Sequence, residues 1–366
     1  MTALAAARLG IRVCILTNDE NSPAAQIVPF TFVGDNSNHA LLKEFASCVD
    51  VITYEDDSIP LETLRYLQKF KPVYPDDRVL GITQNRVRQK HFLNEVGVPT
   101  TRWAAINRAN DIAKAMEDLQ IERAVLKNAL PGVTADKQMD FVVSQDAKTA
   151  WRDMNATQLI LEEKVTYSCE ISTIIARDPL GQTASYGPIL NERNDHNVLI
   201  KSTIPASIPA QLSKKADTLT QFIAEALDVI GVLCVEFFVT SDGRLLVNKI
   251  SPHPHDSGHW TMEACLCSQF EQQVRTICGM QVGAPGRHSD AIMIPLAGDE
   301  AAQLNKYIEM PNAAVHLYGK IAQHSAQKIG HVTLVGPVPV DTALGISSNQ
   351  TDAPIPLTSV KKEQTS

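Results

Sequence analysis

Residues 232–260 read VLCVEFFVTSDGRLLVNKISPHPHDSGHW, and this stretch decides the fold. Its first half consists of two apolar runs on either side of Asp242-Gly243, a dipeptide that favours the tight turn of a β-hairpin. Its second half places three histidines and an aspartate in a proline-containing loop after the second run. The stretch therefore predicts a buried hairpin that carries polar side chains to a loop at the end of a strand.

Helical and strand patterns alternate in the N-terminal part of the chain. Residues 2–10, TALAAARLG, predict a helix ending at Gly10, and residues 11–17, IRVCILT, predict a buried strand. The alternation continues to residue 75 and is typical of an α/β unit with a parallel sheet. Such units usually open with a strand and a glycine-rich turn, so we expect that first strand and turn to be missing here.

The composition argues against several classes of function. The chain has 366 residues, 44% of them hydrophobic, which is enough for two or three domains. Its formal net charge of -8 argues against a broad surface for nucleic acid. No apolar run approaches the ~20 residues of a membrane span. The seven cysteines follow no regular spacing, which favours reduced thiols and a cytoplasmic location.

The histidines suggest a metal site at first sight. His253, His255 and His259 form an H-x-H-x-x-x-H pattern with Asp256 between them, and imidazole is a common zinc ligand. The prolines that flank His253 make the segment a stiff loop, however, and catalytic zinc sites also need an open coordination position and a general base. The pattern favours another role for this loop over a zinc site.

Charged side chains also occur in or beside apolar strands. Glu236 lies in VLCVEFFV, where a buried carboxylate is costly unless it is paired or binds a metal. The alternative to a metal is a salt bridge with Lys249 on the partner strand. Lys127 ends the strand RAVLK before a glycine-containing loop, where a lysine can hold a phosphate. A solvated lysine at a strand end is the alternative there.

These residues lie in motifs that resemble N5-carboxyaminoimidazole ribonucleotide synthase, an ATP-grasp enzyme family of bacterial and fungal purine synthesis. The family pattern at the last motif is close to N-E-I-A-P-R-P-H-N-S-G-H-W-T, and residues 248–261 read N-K-I-S-P-H-P-H-D-S-G-H-W-T. The resemblance covers nearly the whole chain. Further segments match in order: LAAARLGIRV, SPAAQ, TYEDDSIP, QNRVRQKHFLNEVGVPT, VHLYGK and KIGHVTLVG.

The resemblance implies a fold of mixed α/β and α+β class with three domains. Residues 1–75 would form a truncated Rossmann-like domain, 76–285 the ATP-grasp core, and 286–366 a small β-rich domain with a mobile tail. The implied reaction uses ATP, Mg²⁺ and bicarbonate to carboxylate aminoimidazole ribonucleotide, by way of carboxyphosphate. The implied protein is a cytoplasmic homodimer that acts on small molecules, without nucleic acid or membrane partners.

The resemblance also assigns roles to individual residues. Glu236 matches the first of two carboxylates that bind magnesium. The loop after the second apolar run matches the loop that binds the substrate in this family, and we call it the substrate loop. Its candidate catalytic residues are His255, Ser257 and His259. The candidate residues near the substrate phosphate are Lys320 and Lys328. The candidate nucleotide-binding residues are Arg86, Lys127, Gly132, Gln138, Glu162, Glu170 and Asn248.

The chain departs from the family pattern where chemistry takes place. Lys249 stands in the position of the second magnesium-binding glutamate, and an ammonium group offers no lone pair to a metal. In the loop PGVTADKQ, Ala135 and Lys137 replace family glycines. Arg193 replaces a histidine, and Asp256 replaces an asparagine beside the expected anionic substrate. His253 and Gln327 each stand where the family pattern has an arginine.

Two functions remain open at this point. The first is an active ATP-dependent carboxylating ligase, which four retained residues favour: Lys127, Glu162, Glu170 and Glu236. The second is a catalytically impaired or inactive relative that keeps the fold as a binding or dimerisation module. The substitutions and the truncated start favour the second function, because one lost group can remove roughly 3–4 kcal/mol of transition-state stabilisation.

Overall fold

The computed structural model describes residues 1–130, 137–143, 145–297, 304–320 and 328–337. The first elements of the chain are α1 (Thr2–Arg8), β1 (Cys14–Thr17), β2 (Phe30–Val33), α2 (His39–Ser47) and α3 (Leu61–Leu67). β1 and β2 pair in parallel, as predicted. α1 ends just before Gly10, whose φ of +73° is a conformation that glycine adopts readily.

Within the alternation predicted up to residue 75, the apolar segment at residues 49–55 indicates a strand, but the strand is much shorter than that pattern suggests. Residues 49–55, VDVITYE, form a single parallel bridge, between Ile52 and Val73. A strand extends only as far as its ladder of partners, and in the described part of the chain this segment pairs at that one position. The segment still contributes to the core, because Ile52 packs in one buried cluster with Leu42 and Leu64.

Two segments whose helical periodicity predicts one long helix each, within residues 74–103 and 261–279, are each broken by a polar cap. The pattern from residue 74 to 103 contains α4 (Asp77–Thr83) and α5 (Arg86–Glu95), with Asn85 between them in an extended conformation. The pattern from 261 to 279 contains α9 (Thr261–Ala264) and α10 (Gln269–Ile277). Asn85 and Ser268 each accept a hydrogen bond from a backbone N–H of the following turn, so each starts a new helix.

A four-stranded antiparallel sheet follows α5. Its order is β3-β6-β4-β5, and two helices pack against it. Its elements are β3 (Trp103–Ile106), α6 (Ala109–Asp118), β4 (Arg123–Asn128), β5 (Gln138–Val142), α7 (Ala147–Met154) and β6 (Leu159–Glu163).

The remaining strands form one eight-stranded antiparallel sheet in the order β11-β10-β7-β8-β9-β12-β14-β13. β10 and β11 are the predicted hairpin, and Gly243 at its turn has a φ of +76°. The elements of this part are β7 (Tyr167–Arg177), β8 (Thr183–Arg193), β9 (Leu199–Ile204), α8 (Ala210–Ala226), β10 (Gly231–Thr240), β11 (Leu245–Ser251), β12 (Ala291–Ala297), α11 (Leu304–Ile308), β13 (Ala313–Leu317) and β14 (Lys328–Val335).

The two faces of this sheet have different roles. Val235 and Phe237 of β10 pack against Ile223 of α8 in a large apolar core. Successive side chains of a strand point to opposite faces, so Cys234 and Glu236 lie on the other side. That second face carries the candidate site. Among the described helices, none is both long and apolar enough to cross a membrane.

Candidate active site

A row of buried polar side chains crosses the second face of the eight-stranded sheet. The Ser202 hydroxyl of β9 donates to the Asn191 side-chain oxygen at 2.8 Å, and the Asn191 amide donates to the Ser172 hydroxyl of β7 at 2.9 Å. Ser172 lies 2.8 Å from the hydroxyl of Ser257, in the loop after β11. These contacts fix the candidate substrate loop to three strands of the sheet, because each buried polar group has a partner in the row.

Arg193, at the end of β8, bridges two acidic residues on the same face. Its Nε donates to Glu170 at 2.7 Å, its Nη2 donates to Glu236, and its Nη1 donates to the carbonyl of Asn197 at 3.1 Å. The second oxygen of Glu170 accepts from the Tyr167 hydroxyl at 2.8 Å. Burial would raise the pKa of Glu236, but the surrounding positive charges, Arg193 foremost, together lower it, so the carboxylate is ionised and paired.

The residues around Glu236 do not fit a magnesium ion. Glu236 lies directly opposite Lys249 in the hairpin, yet the predicted salt bridge between them is wrong, because Glu236 pairs with Arg193. The Lys249 ammonium lies 3.8 Å from the Asp57 carboxylate. Magnesium requires a near-octahedral shell of oxygen atoms, whereas two cations surround Glu236 here. In the part of the chain that the structure describes, no group of three His, Cys, Asp or Glu side chains could hold a metal.

A second charged cluster joins the two larger sheets. The Glu162 carboxylate of β6 binds the ammonium groups of Lys127 and Lys90, each at 3.0 Å, and accepts from the Thr101 hydroxyl at 2.6 Å. Lys127 also approaches the Asn248 side-chain oxygen of β11 at 3.5 Å. Lys127 is only 8% exposed, so the alternative of a solvated strand-end lysine is wrong. The cluster carries a net positive charge, which suits an anion between the sheets.

Burial acts in opposite directions on the pKa values of the lysine and the glutamate in this cluster, because it disfavours the charged form of each. Burial lowers the pKa of Lys90 to about 8, because Glu162 compensates only part of the cost of the buried ammonium. Burial alone would raise the pKa of Glu162, but Lys127 and Lys90 together hold it well below its ordinary value. Glu162 is therefore ionised at every physiological pH. Glu170 does not belong to this cluster. It lies in the eight-stranded sheet, whereas Glu162 lies in the four-stranded sheet, and the partners of Glu170 are Tyr167 and Arg193.

The other candidate nucleotide-binding residues are less closely grouped. Arg86 begins α5, and its charge lowers the pKa of Glu236, which places it near the second face. Gln138 lies opposite Lys127 in the pairing of β4 with β5 and is exposed. Gly132 lies outside the described residues, as does Ala135.

The loop histidines are held by neighbouring side chains. His255 Nδ1 accepts from the backbone N–H of Ser257 at 3.3 Å and lies 2.8 Å from its hydroxyl. His259 Nδ1 lies 3.1 Å from the Gln269 amide nitrogen, which also donates to the His255 carbonyl at 2.7 Å. His253 turns to the carbonyl of Pro254 at 2.8 Å. Burial lowers the pKa of both His255 and His259 to about 4, so both rings are neutral at pH 7.

The two lysines predicted near the substrate phosphate occupy different environments. Lys328, the first residue of β14, forms an ion pair with Asp256 of the substrate loop. Lys320 is exposed, and its ammonium lies 5.8 Å from the centre of the Tyr318 ring. Gln327 lies outside the described residues. The Asp256–Lys328 pair therefore links the loop after β11 to a strand of the C-terminal part.

Three site residues have no assigned role in the sequence-based prediction. Lys90 follows Arg86 by four positions, which is one helical turn, so a pair of basic residues on one face of α5 was a usable signal. Gln269 holds both loop histidines from α10, and its place in S-Q-F-E, residues 268–271, which match the helix that follows the last family motif, was a weaker signal. The bridge that Arg193 makes between Glu170 and Glu236 had no local signal, because it joins three different strands.

The comparisons with known proteins agree with this geometry. Three family models match in order: the ribonucleotide synthetase preATP-grasp domain over residues 1–84, the ATP-grasp domain over 91–270, and the phosphoribosylaminoimidazole carboxylase C-terminal domain over 291–342. The N5-carboxyaminoimidazole ribonucleotide synthase of Brucella melitensis is 37% identical over 339 residues, which is 92% of this chain and 93% of that protein. The chain belongs to the N5-carboxyaminoimidazole ribonucleotide synthase family.

Other members of the family support the same fold. The Bacillus subtilis synthase is 30% identical over 92% of this chain and 88% of its own length. A solved ADP complex of an N5-carboxyaminoimidazole ribonucleotide synthetase matches with a TM-score of 0.88 and 30% identity, covering 94% of this chain and 90% of that one. The Aspergillus clavatus synthase, solved with ADP and 5-aminoimidazole ribonucleotide, matches with a TM-score of 0.84, 26% identity, and 92% and 90% coverage. The predicted family and mixed α/β fold with preATP-grasp, ATP-grasp and C-terminal domains are confirmed.

Proposed function

We propose that this protein is an ATP-dependent ligase that uses bicarbonate to carboxylate the amine of aminoimidazole ribonucleotide in purine biosynthesis. The observation that carries the proposal is the buried cluster of Lys127, Glu162 and Lys90. It places an excess of positive charge between the four-stranded and eight-stranded sheets, where a nucleotide phosphate would be attracted. Relatives solved with ADP, ATP and aminoimidazole ribonucleotide support the same assignment.

In the proposed reaction, a bicarbonate oxygen bonds to the terminal phosphorus of ATP and ADP leaves. The resulting carboxyphosphate releases CO2 and phosphate, the substrate amine bonds to the carbon, and the departing phosphate takes the amine proton. Lys127 and Arg86 would hold the nucleotide phosphates and offset their charge. His255 has Nδ1 occupied as an acceptor, so it would offer an Nε2 proton to hydrogen-bond the substrate. The Nε2 of His259 lies 3.5 Å from the Asp256 carboxylate, so His259 would help to hold the loop in place.

Phosphate release tests this function directly. We expect the protein with ATP, bicarbonate and Mg²⁺ to release phosphate in a manner that depends on aminoimidazole ribonucleotide. Lys127→Ala should reduce this release by on the order of 100-fold, because a preorganised charge on the phosphates is lost. The exposed Lys114 on α6 offers a matched control, and Lys114→Ala should leave the rate unchanged. Absence of substrate-dependent release in the unmodified protein would contradict the proposed turnover.

A second candidate function is binding of nucleotide and substrate without turnover. It is favoured by the Arg193–Glu236 ion pair and by Lys249, which occupy the positions where the family pattern has a metal site. Calorimetry separates the two functions. Nucleotide binding with no substrate-dependent phosphate release would support the second candidate, whereas release above the Lys127→Ala background would exclude it.

Three further features are proposed on the basis of family membership. They are domain boundaries at 1–75, 76–285 and 286–366, assembly as a homodimer, and a cytoplasmic location. The eight-stranded sheet continues from β9 into β12, so the proposed third domain would share a sheet with the second. Cleavage in the loop near residue 285 should therefore leave the two parts associated, because β12 stays paired with β9.

A further inference from the structure

The strongest disagreement between this chain and its family lies around Glu236. Arg193 approaches its two carboxylate partners edge-on, with Nε on Glu170 at 2.7 Å and Nη2 on Glu236. The arginine side chain is 21% exposed, and those of Glu170 and Glu236 are 9% and 8% exposed. The guanidinium thus occupies the space in front of both carboxylates, and a metal ion could bind there only by displacing it.

Lys249 brings a second positive charge to the same place. It lies directly opposite Glu236 across the hairpin, and its charge contributes to the lowered pKa of that carboxylate. Its ammonium is 3.8 Å from the Asp57 carboxylate, which is longer than a hydrogen bond. The side chains of Lys249 and Asp57 are 30% and 25% exposed. Lys249 is therefore held loosely and can turn toward an anion in the cleft, by which we mean the space between the four-stranded and eight-stranded sheets where the nucleotide is proposed to bind.

Together, the two side chains supply the charge that one magnesium ion would supply. Arg193 and Lys249 carry one positive charge each, and both flank the only carboxylate of the described hairpin strands that faces the cleft. An arginine offers several N–H donors in a plane that matches phosphate oxygens, and a lysine offers a point charge. Both cations would also repel a divalent metal ion at this position.

We propose that the nucleotide site of this protein works without a divalent metal ion, with Arg193 and Lys249 neutralising the phosphates in its place. This inference rests on the proposed function, because it places the nucleotide in the same cleft. Glu236 then has a different role from that of a metal ligand. It holds the Arg193 guanidinium in the empty site and competes for it with the nucleotide phosphates.

ADP binding measured by calorimetry in excess EDTA and in excess MgCl2 tests the inference. We expect the Kd in EDTA to equal the Kd in magnesium within about twofold, or to be lower, since free ADP carries more charge for the two cations. Binding at least tenfold tighter in magnesium would overturn the inference and leave the proposed function standing. Failure to bind in either condition would overturn the inference together with nucleotide binding in the proposed function.

Two substitutions give opposite results for a cation-based site and a metal-based site. Glu236→Gln should tighten ADP binding in EDTA by roughly three- to tenfold, because it releases Arg193. A metal ligand at this position would instead make the same variant bind ADP more weakly in magnesium. Lys249→Glu should weaken binding in EDTA by about tenfold or more and make it magnesium-dependent.

Arg177 provides the matched control. It forms an ion pair with Asp228 at 2.8 Å at the other end of β7, seven positions from Glu170. Arg177→Gln removes an ion-paired arginine of the same sheet and should leave both Kd values unchanged within about twofold. Unchanged Kd values in Glu236→Gln and Lys249→Glu, in variants whose melting temperatures match the unmodified protein within a few degrees, would also overturn the inference.

Discussion

At the scale of single residues, three histidines, two of them buried, form a stack between the substrate loop and the C-terminal strands. The ring of His331 on β14 lies 4.8 Å from that of His259 and 4.7 Å from that of His316. Its Nδ1 is 2.8 Å from the Tyr318 hydroxyl. Burial, together with the charges that His259 and His316 would carry, lowers the pKa of His331 to about 2. Burial therefore favours the neutral forms of His331 and His259 in this stack.

This stack predicts a loss of stability in mild acid. The unfolded chain takes up protons on histidines near pH 6.5, whereas folded His259 does so near pH 4 and folded His331 near pH 2, so stability present above pH 6.5 is lost progressively as the pH falls below it. His331→Phe keeps a ring in the stack and removes one of these groups. We expect the melting temperature to fall less between pH 7 and pH 5 in this variant than in the unmodified protein.

The carboxylates do not account for the loss of stability that is expected below pH 6.5. Glu162, Glu236 and Asp256 all have a lowered pKa, so their stabilising contribution is present above their ordinary values and is lost only in stronger acid. Exposed His196 serves as the control, and His196→Phe should leave the pH dependence unchanged. Equal slopes of melting temperature against pH in His331→Phe and the unmodified protein would show that the stack does not set the acid stability.

At the scale of elements, helix α5 positions the cations of the cleft. Its N-cap Asn85 is 6% exposed, and the Asn85 side-chain oxygen accepts from the backbone N–H of Arg88 at 3.0 Å. The Asn85 amide donates to Gln158 at 3.2 Å. Arg86 and Lys90 follow on the first turns of this helix. The direction in which α5 leaves its cap therefore decides where these two side chains lie.

We expect Asn85→Ala to affect both stability and binding. Loss of the cap should cost about 1–2 kcal/mol of folding free energy and lower the melting temperature by a few degrees. ADP binding should weaken several-fold, because Arg86 and Lys90 lose their fixed direction. Asp146 caps α7 in the same way, by accepting from the backbone N–H of Thr149 at 3.0 Å. Asp146→Ala should lower the melting temperature similarly without changing ADP affinity, and a parallel loss of affinity in both variants would contradict a specific role for α5.

The elements also show which features a sequence can predict. The hairpin and the helix ends at Gly97 and Gly279 follow from turn chemistry within a few residues, and all were predictable. The breaks at Asn85 and Ser268 were not, because the helical periodicity continues through them and the cap depends on local backbone geometry. Caps of this kind are visible in a sequence only as a polar residue before a new helical turn.

The candidate site was only partly predictable, for reasons of distance along the chain. Family motifs identified Glu162 and Lys127, and the structure brings them into one ion pair at 3.0 Å. The partner of Glu236 was missed, because Arg193 reaches it from β8 across β7, and a sequence gives no register between strands that far apart. The proximity of Lys249 to Asp57 depends likewise on how the N-terminal part packs on the sheet.

At the scale of the whole molecule, the C-terminal strands complete the candidate substrate site. β12 adds to β9, β14 adds to β12, and this order brings Lys328 over the loop that follows β11. Gln26 of the N-terminal part donates to the carbonyl of Gly319 at 3.2 Å. The loop around Asp256 is thus tied to the C-terminal strands, and the N-terminal part contacts the same C-terminal region. A change of charge at this point should therefore alter the affinity for an anionic substrate more than the stability of the fold.

Asp256→Asn is the sharpest test of that arrangement. Lys328 is predicted to lie near the substrate phosphate, yet its ammonium pairs with Asp256. An asparagine is neutral, so the variant should leave Lys328 available to the substrate and lower the Kd for aminoimidazole ribonucleotide by roughly three- to tenfold. Calorimetry measures this Kd independently of turnover. Asp290, which pairs with Arg287 at 3.1 Å and is exposed, gives the matched control. Asp290→Asn should change the Kd by less than about twofold, and weaker binding in Asp256→Asn would mean that Asp256 itself orders the substrate loop.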